Sequence, residues 1–168
     1  MITWVESGGG PLVVVPETSL PDWRGVDPED LDDTDDSARA CAVTGLAGVI
    51  AVGAAGARAL VLADDPASSC FVPEIRAFVR WNAANDADSL IDAARTVVAD
   101  PAVSWDDCGV WETDGPAVLL DAGDDGADPG SGNRAPVAVD AGRWRVLAAW
   151  RELPRTWVTV VRLLPEPR

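Results

Sequence analysis

Glu6 and Glu112 stand at matching places in two copies of one motif. The first copy is Trp4-Val-Glu-Ser-Gly-Gly-Gly-Pro-Leu-Val-Val-Val-Pro-Glu17, and the shorter second copy is Trp111-Glu-Thr-Asp-Gly-Pro-Ala-Val-Leu-Leu-Asp121. Paired carboxylates can cleave a glycosidic bond, one as acid and the other as base or nucleophile. Repeated position more simply means repeated structure, with each carboxylate accepting backbone N–H groups from its Gly turn. Little other chemistry is open to the chain. It has no His, which excludes Ser-His-Asp and Cys-His catalysis and histidine-bearing zinc sites. All 13 basic residues are Arg, so lysine-based phosphate loops and Schiff bases are excluded as well. Cys41, Cys70 and Cys108 are odd in number and far apart, with no CxxC spacing, and read as reduced, mostly buried thiols.

Carboxylates are what the chain has in excess: 28 acids against 13 Arg, a net charge of −15. Free nucleic acid is repelled by such a chain, whereas a basic partner is attracted and steered. Acidity also serves solubility or salt tolerance, and replacement of Lys by Arg suits a GC-rich genome. Seven acids crowd into residues 27–36: Asp27, Glu29, Asp30, Asp32, Asp33, Asp35 and Asp36. Like charges at this density cannot share a core, so an exposed loop is expected. A calcium loop needs a central Gly and a terminal Glu, which this stretch lacks. Residues 121–128 carry two glycines but read as a solvated turn, so no metal and no cofactor is expected. The 27–36 loop is either a partner-facing surface or a solubilising one. Trp23, set between Pro21, Arg24 and the loop, is either a core residue or an exposed interface anchor beside charge.

The elements that must position these groups are mostly short strands. The chain has 168 residues, 48% of them hydrophobic, enough for a substantial core. Strands are expected at 3–6 and 12–15, joined by a hairpin-like Gly turn. A turn at 19–25 should bury Trp23, and a short helix should start near Asp36. A strand pair follows at 48–53 with 58–63, and two further strands at 69–73 and 77–81. Residues 86–99 form the one clear helix: Leu90, Ile91, Ala94, Val97 and Val98 share a face, Asp86 caps it, and Asp100-Pro101 stops it. Further strands are expected at 110–112, 117–121, 137–140, 143–150 and 156–164, with a mobile loop at 121–133. Trp4, Trp81, Trp105, Trp111, Trp144, Trp150 and Trp157 lie in or beside apolar strands and are core candidates. Residues 49–62 and 137–147 both read as strand, small-residue turn, strand. The fold class is therefore α+β, mainly β: two related β-rich halves, residues 1–100 and 101–168, joined into one unit with the helix between them. No apolar run approaches the ~20 residues of a membrane span, and no secretory leader is evident. A soluble cytosolic protein is expected.

Several segments in order resemble the immunity protein 21 family of bacterial polymorphic toxin systems. They are residues 4–17, then Ala38-Arg-Ala-Cys-Ala-Val43 after the acidic stretch, Gly48-Val-Ile-Ala-Val-Gly53 and Ala59-Leu-Val-Leu-Ala-Asp-Asp-Pro66. Phe71-Val-Pro-Glu74, Phe78-Val-Arg-Trp81 and the helix continue the series, and Gly142-Arg-Trp-Arg-Val146 carries it more loosely toward the end. The resemblance implies a small, β-rich, cytosolic inhibitor that binds a co-encoded toxin, and it carries no catalytic residues. The acidity suggests a basic, nuclease-like toxin, met by Trp23 and the acids of residues 27–36. Two other readings stand beside it: a housekeeping or structural β-module with no toxin partner, and a hydrolase working with carboxylates alone.

Overall fold

The computed structural model describes residues 1–130 and 132–168. Its centre is the apolar run Leu12–Pro16, which forms β1 with all five residues buried. Such a run suits a strand covered on both faces. A 3-10 helix, Glu17–Asp22, and the short helix α1 (Asp36–Cys41) follow. The hairpin β2 (Ala47–Val52) and β3 (Ala57–Leu62) comes next, then the hairpin β4 (Ser69–Val72) and β5 (Ala77–Ala83). Helix α2 (Ala87–Ala99) leads to β6 (Asp106–Thr113), β7 (Ala117–Asp121) and β8 (Arg134–Val137). The long hairpin β9 (Gly142–Leu153) and β10 (Thr156–Pro165) closes the chain.

The strands make two five-stranded antiparallel sheets, ordered β2-β3-β1-β7-β8 and β4-β5-β10-β9-β6. The fold is thus mainly β with two α-helices, as the alternation of short apolar runs and turns predicts. Each sheet takes strands from both sides of position 100. Strand periodicity sorts the side chains into layers. Leu12 and Val14 of β1, with Leu60, Leu62, Phe71, Phe78, Trp111, Leu119, Val146 and Val161, fill the space between the sheets. Val13, Val15 and Val61 point the other way, to an outer layer with Trp23, Ala40 and Leu120. On the far side, Val79, Val158 and Val160 receive Leu90, Ile91, Ala94 and Val97 of α2. That helix begins where expected: the Asp86 carboxylate accepts the Ser89 N–H at 2.7 Å.

Three local expectations are corrected. Residues 3–6 are not a strand of a hairpin. Only Val5 bridges, exchanging both backbone hydrogen bonds with Ser69 of β4 at 2.8 and 3.0 Å. The chain then turns through the Ser7–Gly10 contact and enters the other sheet as β1. The 137–147 segment is not the hairpin that 49–62 is. β8 ends at Val137 in the first sheet and β9 opens at Gly142 in the second, so these residues cross between sheets. Of the eight Trp, Trp111 and Trp144 are buried in the core, but Trp150 and Trp157 are each 46% exposed.

The two copies of the opening motif nevertheless follow one path. Val5 contacts the second sheet and β1 enters the first; Trp111 on β6 lies in the second sheet and β7 enters the first. β1 and β7 then lie side by side, Val14 opposite Leu119. β3 flanks one and β8 the other, and in the second sheet β5 and β10 are neighbours flanked by β4 and β9. The strand neighbours in the two halves thus correspond, β3 beside β1 as β8 is beside β7, and β4 beside β5 as β9 is beside β10.

Candidate functional site: an acidic face over the first sheet

The acidic residues 27–36 form a loop closed at its base by its own carboxylates. Asp36 accepts the Arg24 N–H at 2.7 Å, and Asp35 accepts the Asp27 N–H at 2.9 Å. Asp35 also caps α1 by accepting the Ala38 N–H at 2.7 Å, and Asp36 pairs with Arg39. Asp30 organises the crown of the loop. Its carboxylate accepts the N–H groups of Asp32, Thr34 and Asp35 at 3.2, 2.5 and 2.7 Å, and the Thr34 hydroxyl at 3.1 Å. Partial burial pushes the Asp30 carboxyl up, but these donors favour the ionised form and together outweigh it, so its pKa is lowered.

The seven acids thus divide by role. Asp27, Asp30, Asp35 and Asp36 hold the loop together; Asp27 does so by also accepting the Glu29 N–H at 3.0 Å. The carboxylates of Glu29, Asp32 and Asp33 have no partner among the described residues and project into water. Between them Leu31 is 92% exposed. The loop therefore carries an apolar side chain at its crown inside a ring of free carboxylates.

Trp23 is buried, 0% exposed, and does not present its ring to solvent. Its indole N–H donates to the Ala122 carbonyl at 3.2 Å, and its backbone carbonyl accepts the Gly126 N–H at 2.8 Å. The exposed placement considered for it is corrected: it is a staple between two loops. The second loop is residues 121–133, of which Ser131 lies outside the described residues. The two loops meet so closely that side chains are excluded. A Cβ on Gly25, whose φ is +64°, would lie 2.4 Å from the Asp124 carbonyl oxygen. One on Gly126 would lie 2.1 Å from that of Leu20. The Val26 N–H also donates to the Gly123 carbonyl at 3.2 Å. The second loop is itself wrapped around Arg134, whose guanidinium donates to the carbonyls of Gly126, Asp125 and Asp128 at 3.3, 3.2 and 2.8 Å. The outcome is one acidic face built from two segments about a hundred residues apart in sequence.

The carboxylates singled out for repeat chemistry have separate surroundings. Glu112 pairs with Arg143 at 2.8 Å, in a cleft of about 1020 Å³ that Arg58 also lines. The Glu6 backbone, by contrast, exchanges two hydrogen bonds of 2.9 Å with the Asn133 side chain. Asp121 fills the role expected of Glu6: it accepts the N–H groups of Gly8 and Gly123 at 2.7 and 2.8 Å. Burial pushes the Cys70 thiol up to about 12, the opposite of nucleophilic activation. Among the described residues no group of three or more Cys, Asp or Glu side chains is placed to hold a metal ion, and no helix is long and apolar enough to cross a membrane.

No curated protein and no solved structure matches this chain. The family model for immunity protein 21, however, matches residues 3–155, which span both sheets and both acidic loops. The ordered segments, the mainly β fold and this match over nearly the whole length agree: the chain belongs to the immunity protein 21 family.

Proposed function

We propose that this protein is a non-enzymatic inhibitor that binds a toxin domain encoded beside it and covers the toxin's active surface, so protecting the cytoplasm of the cell that makes both. The observation that carries this reading is the family match over residues 3–155. The acidic face is the surface we assign to the contact. Glu29, Asp32 and Asp33 leave three carboxylates free on a pre-bonded crown, with Leu31 exposed among them. A basic, nuclease-type groove would meet these carboxylates as it meets phosphates, while Leu31 enters an apolar pocket beside them. Asp27, Asp30, Asp35, Asp36 and the buried Trp23 serve this contact by holding the loop in shape. The reading needs no metal and no cofactor.

Co-expression is the test. Cells that die on expressing the neighbouring toxin domain should survive when this protein is made with it. Death in both cases would instead favour a structural β-module with no toxin partner.

Duplication of an ancestral half accounts for the matched motifs and the corresponding strand neighbours, and we add it to this reading. The Cα trace of β1, β3, β4 and β5 should then superpose on that of β7, β8, β9 and β10; traces that cannot be aligned in one rotation would dismiss it.

A further inference from the structure

Steering by charge brings partners together, but it does not by itself hold them. Tight interfaces depend on a few desolvated anchors, chiefly Trp, Tyr and Arg. The chain has no Tyr, and the acidic face presents no aromatic ring, since Trp23 is buried beneath it. Among the described residues the large hydrophobic side chains most open to water are Met1, Val26, Leu31, Trp150 and Trp157, and two of these are indoles on one hairpin.

Trp150 on β9 lies opposite Thr159 on β10, and Trp157 lies opposite Glu152, so strand alternation puts both rings on one face. This is the face on which Val146, Ala148, Val161 and Leu163 meet the first sheet. The interior row therefore continues along the hairpin past the point where the first sheet covers it. The two rings meet edge to face with centroids 6.3 Å apart, and β9 and β10 are paired without a break from Trp144 to Thr156. The indoles are thus fixed by a rigid ladder, at little ordering cost on binding.

Their setting has a distinct charge. Arg155, in the turn, lies beside the pair, while Arg151, opposite Val158, stands on the other face of β9; both are exposed, and neither has an ion-pair or hydrogen-bond partner among the described residues. By contrast Arg39, Arg95, Arg143 and Arg145 are all held by carboxylates. On a protein of net charge −15, the tip from Trp150 to Trp157 carries two free cations and one acid, Glu152.

We infer that the β9–β10 tip is a second contact with the same toxin, in which Trp150 and Trp157 bury against an apolar patch and Arg155 pairs with a carboxylate beside it. The inference rests on the inhibitor reading. The acidic face accelerates encounter with basic surface, and the tip sets how long the complex lasts. The occupant must therefore be mixed in charge: basic where it meets Glu29, Asp32 and Asp33, acidic where it meets the hairpin.

Surface plasmon resonance with the co-encoded toxin domain separates these roles. Three forms are compared: the wild type, Trp150→Ala/Trp157→Ala, and Arg155→Glu. The Trp variant should dissociate at least about 30-fold faster, the size of one interface hot spot, with the association rate within about threefold of wild type. The Arg variant keeps both indoles and lies at an exposed position, so it tests the surface even if loss of the rings loosens the hairpin. It should weaken binding at least about 10-fold, and Arg155→Gln should weaken it less. Wild-type dissociation rates in both variants would overturn the inference while leaving the inhibitor reading intact. Absence of binding by the wild type would overturn both. Sedimentation of the free protein provides the remaining arm: a wild-type dimer that the Trp variant abolishes would assign the tip to a second copy of this chain and overturn the toxin as its occupant.

Discussion

Replacing Trp23 by Ala should loosen the acidic face. The indole is fully buried among Val13, Val15, Ala40, Val61 and Leu120, and it bonds the Ala122 carbonyl. Truncating a buried Trp to Ala costs about 3–5 kcal/mol, and this site cannot collapse far because a sheet forms one wall. For a domain of this size each kcal/mol lowers Tm by about 2–4 °C, so a fall of about 10 °C is expected. Trp23→Phe keeps most of the bulk and loses the N–H, leaving the Ala122 carbonyl without that donor. It should cost about 1–2 kcal/mol. Urea unfolding gives the two energies, and hydrogen exchange gives their location. In Trp23→Ala the amides of Val26, Gly126 and Asp128 should exchange faster well before those of β5 and α2. If Trp23→Ala costs under about 1 kcal/mol, or if exchange rises equally in α2, the indole is not the staple that joins the two loops.

Other outcomes follow from the division of the acids. Changing Glu29, Asp32 and Asp33 to their amides removes three free charges without touching a bond of the loop. If they lie about 7 Å from partner cations, toxin association should slow about fivefold at 0.1 M salt, where screening reaches about 10 Å. At 1 M, where it reaches about 3 Å, the gap should fall below about 1.5-fold, and equal rates at every salt would move the contact elsewhere. Asp30 has a folded pKa below its ordinary 3.8, so the unfolded chain binds its proton first. Its contribution to the loop is therefore present above about pH 4 and lost as pH falls through the lowered value. Exchange at the Thr34 and Asp35 amides, compared with an Asp30→Asn variant, should rise in that acid range, and no change there would contradict the Asp30 network. Cys41 is exposed, whereas Cys70 is buried with its pKa raised to about 12. A thiol reagent at pH 8 should label Cys41 in the native protein and reach Cys70 only on unfolding; early labelling of Cys70 would show that the α2 face opens readily.

What the sequence discloses here is what is local. The α2 helix is legible because its apolar period, Asp86 cap and Pro101 stop lie within sixteen residues. The β2–β3 pair is legible because it is a hairpin whose turn residues separate two apolar runs, and β4, β5, β9 and β10 are each legible as strands from their own apolar residues. The β1–β7 pairing is not, because Leu12 meets Asp121 across more than a hundred residues and nothing local selects that partner. The same distance hides the role of Trp23. From its neighbours Pro21 and Arg24 it could lie in either environment, and its hydrogen-bond partners, Ala122 and Gly126, lie about a hundred residues away. Within the acidic loop, charge density marks a surface but gives every carboxylate equal weight. Only the hydrogen bonds separate Asp30 and Asp35 from Glu29 and Asp33. Trp150 and Trp157 alternate like core residues and read as core, because the point at which the first sheet stops covering β9 and β10 is a tertiary fact.

The most direct measurement is the equilibrium affinity of the purified protein for the toxin domain encoded next to it. The inhibitor reading predicts a one-to-one complex with Kd of about 1 nM or tighter, about −12 kcal/mol. Titration to about 10 µM with no complex formed would contradict it.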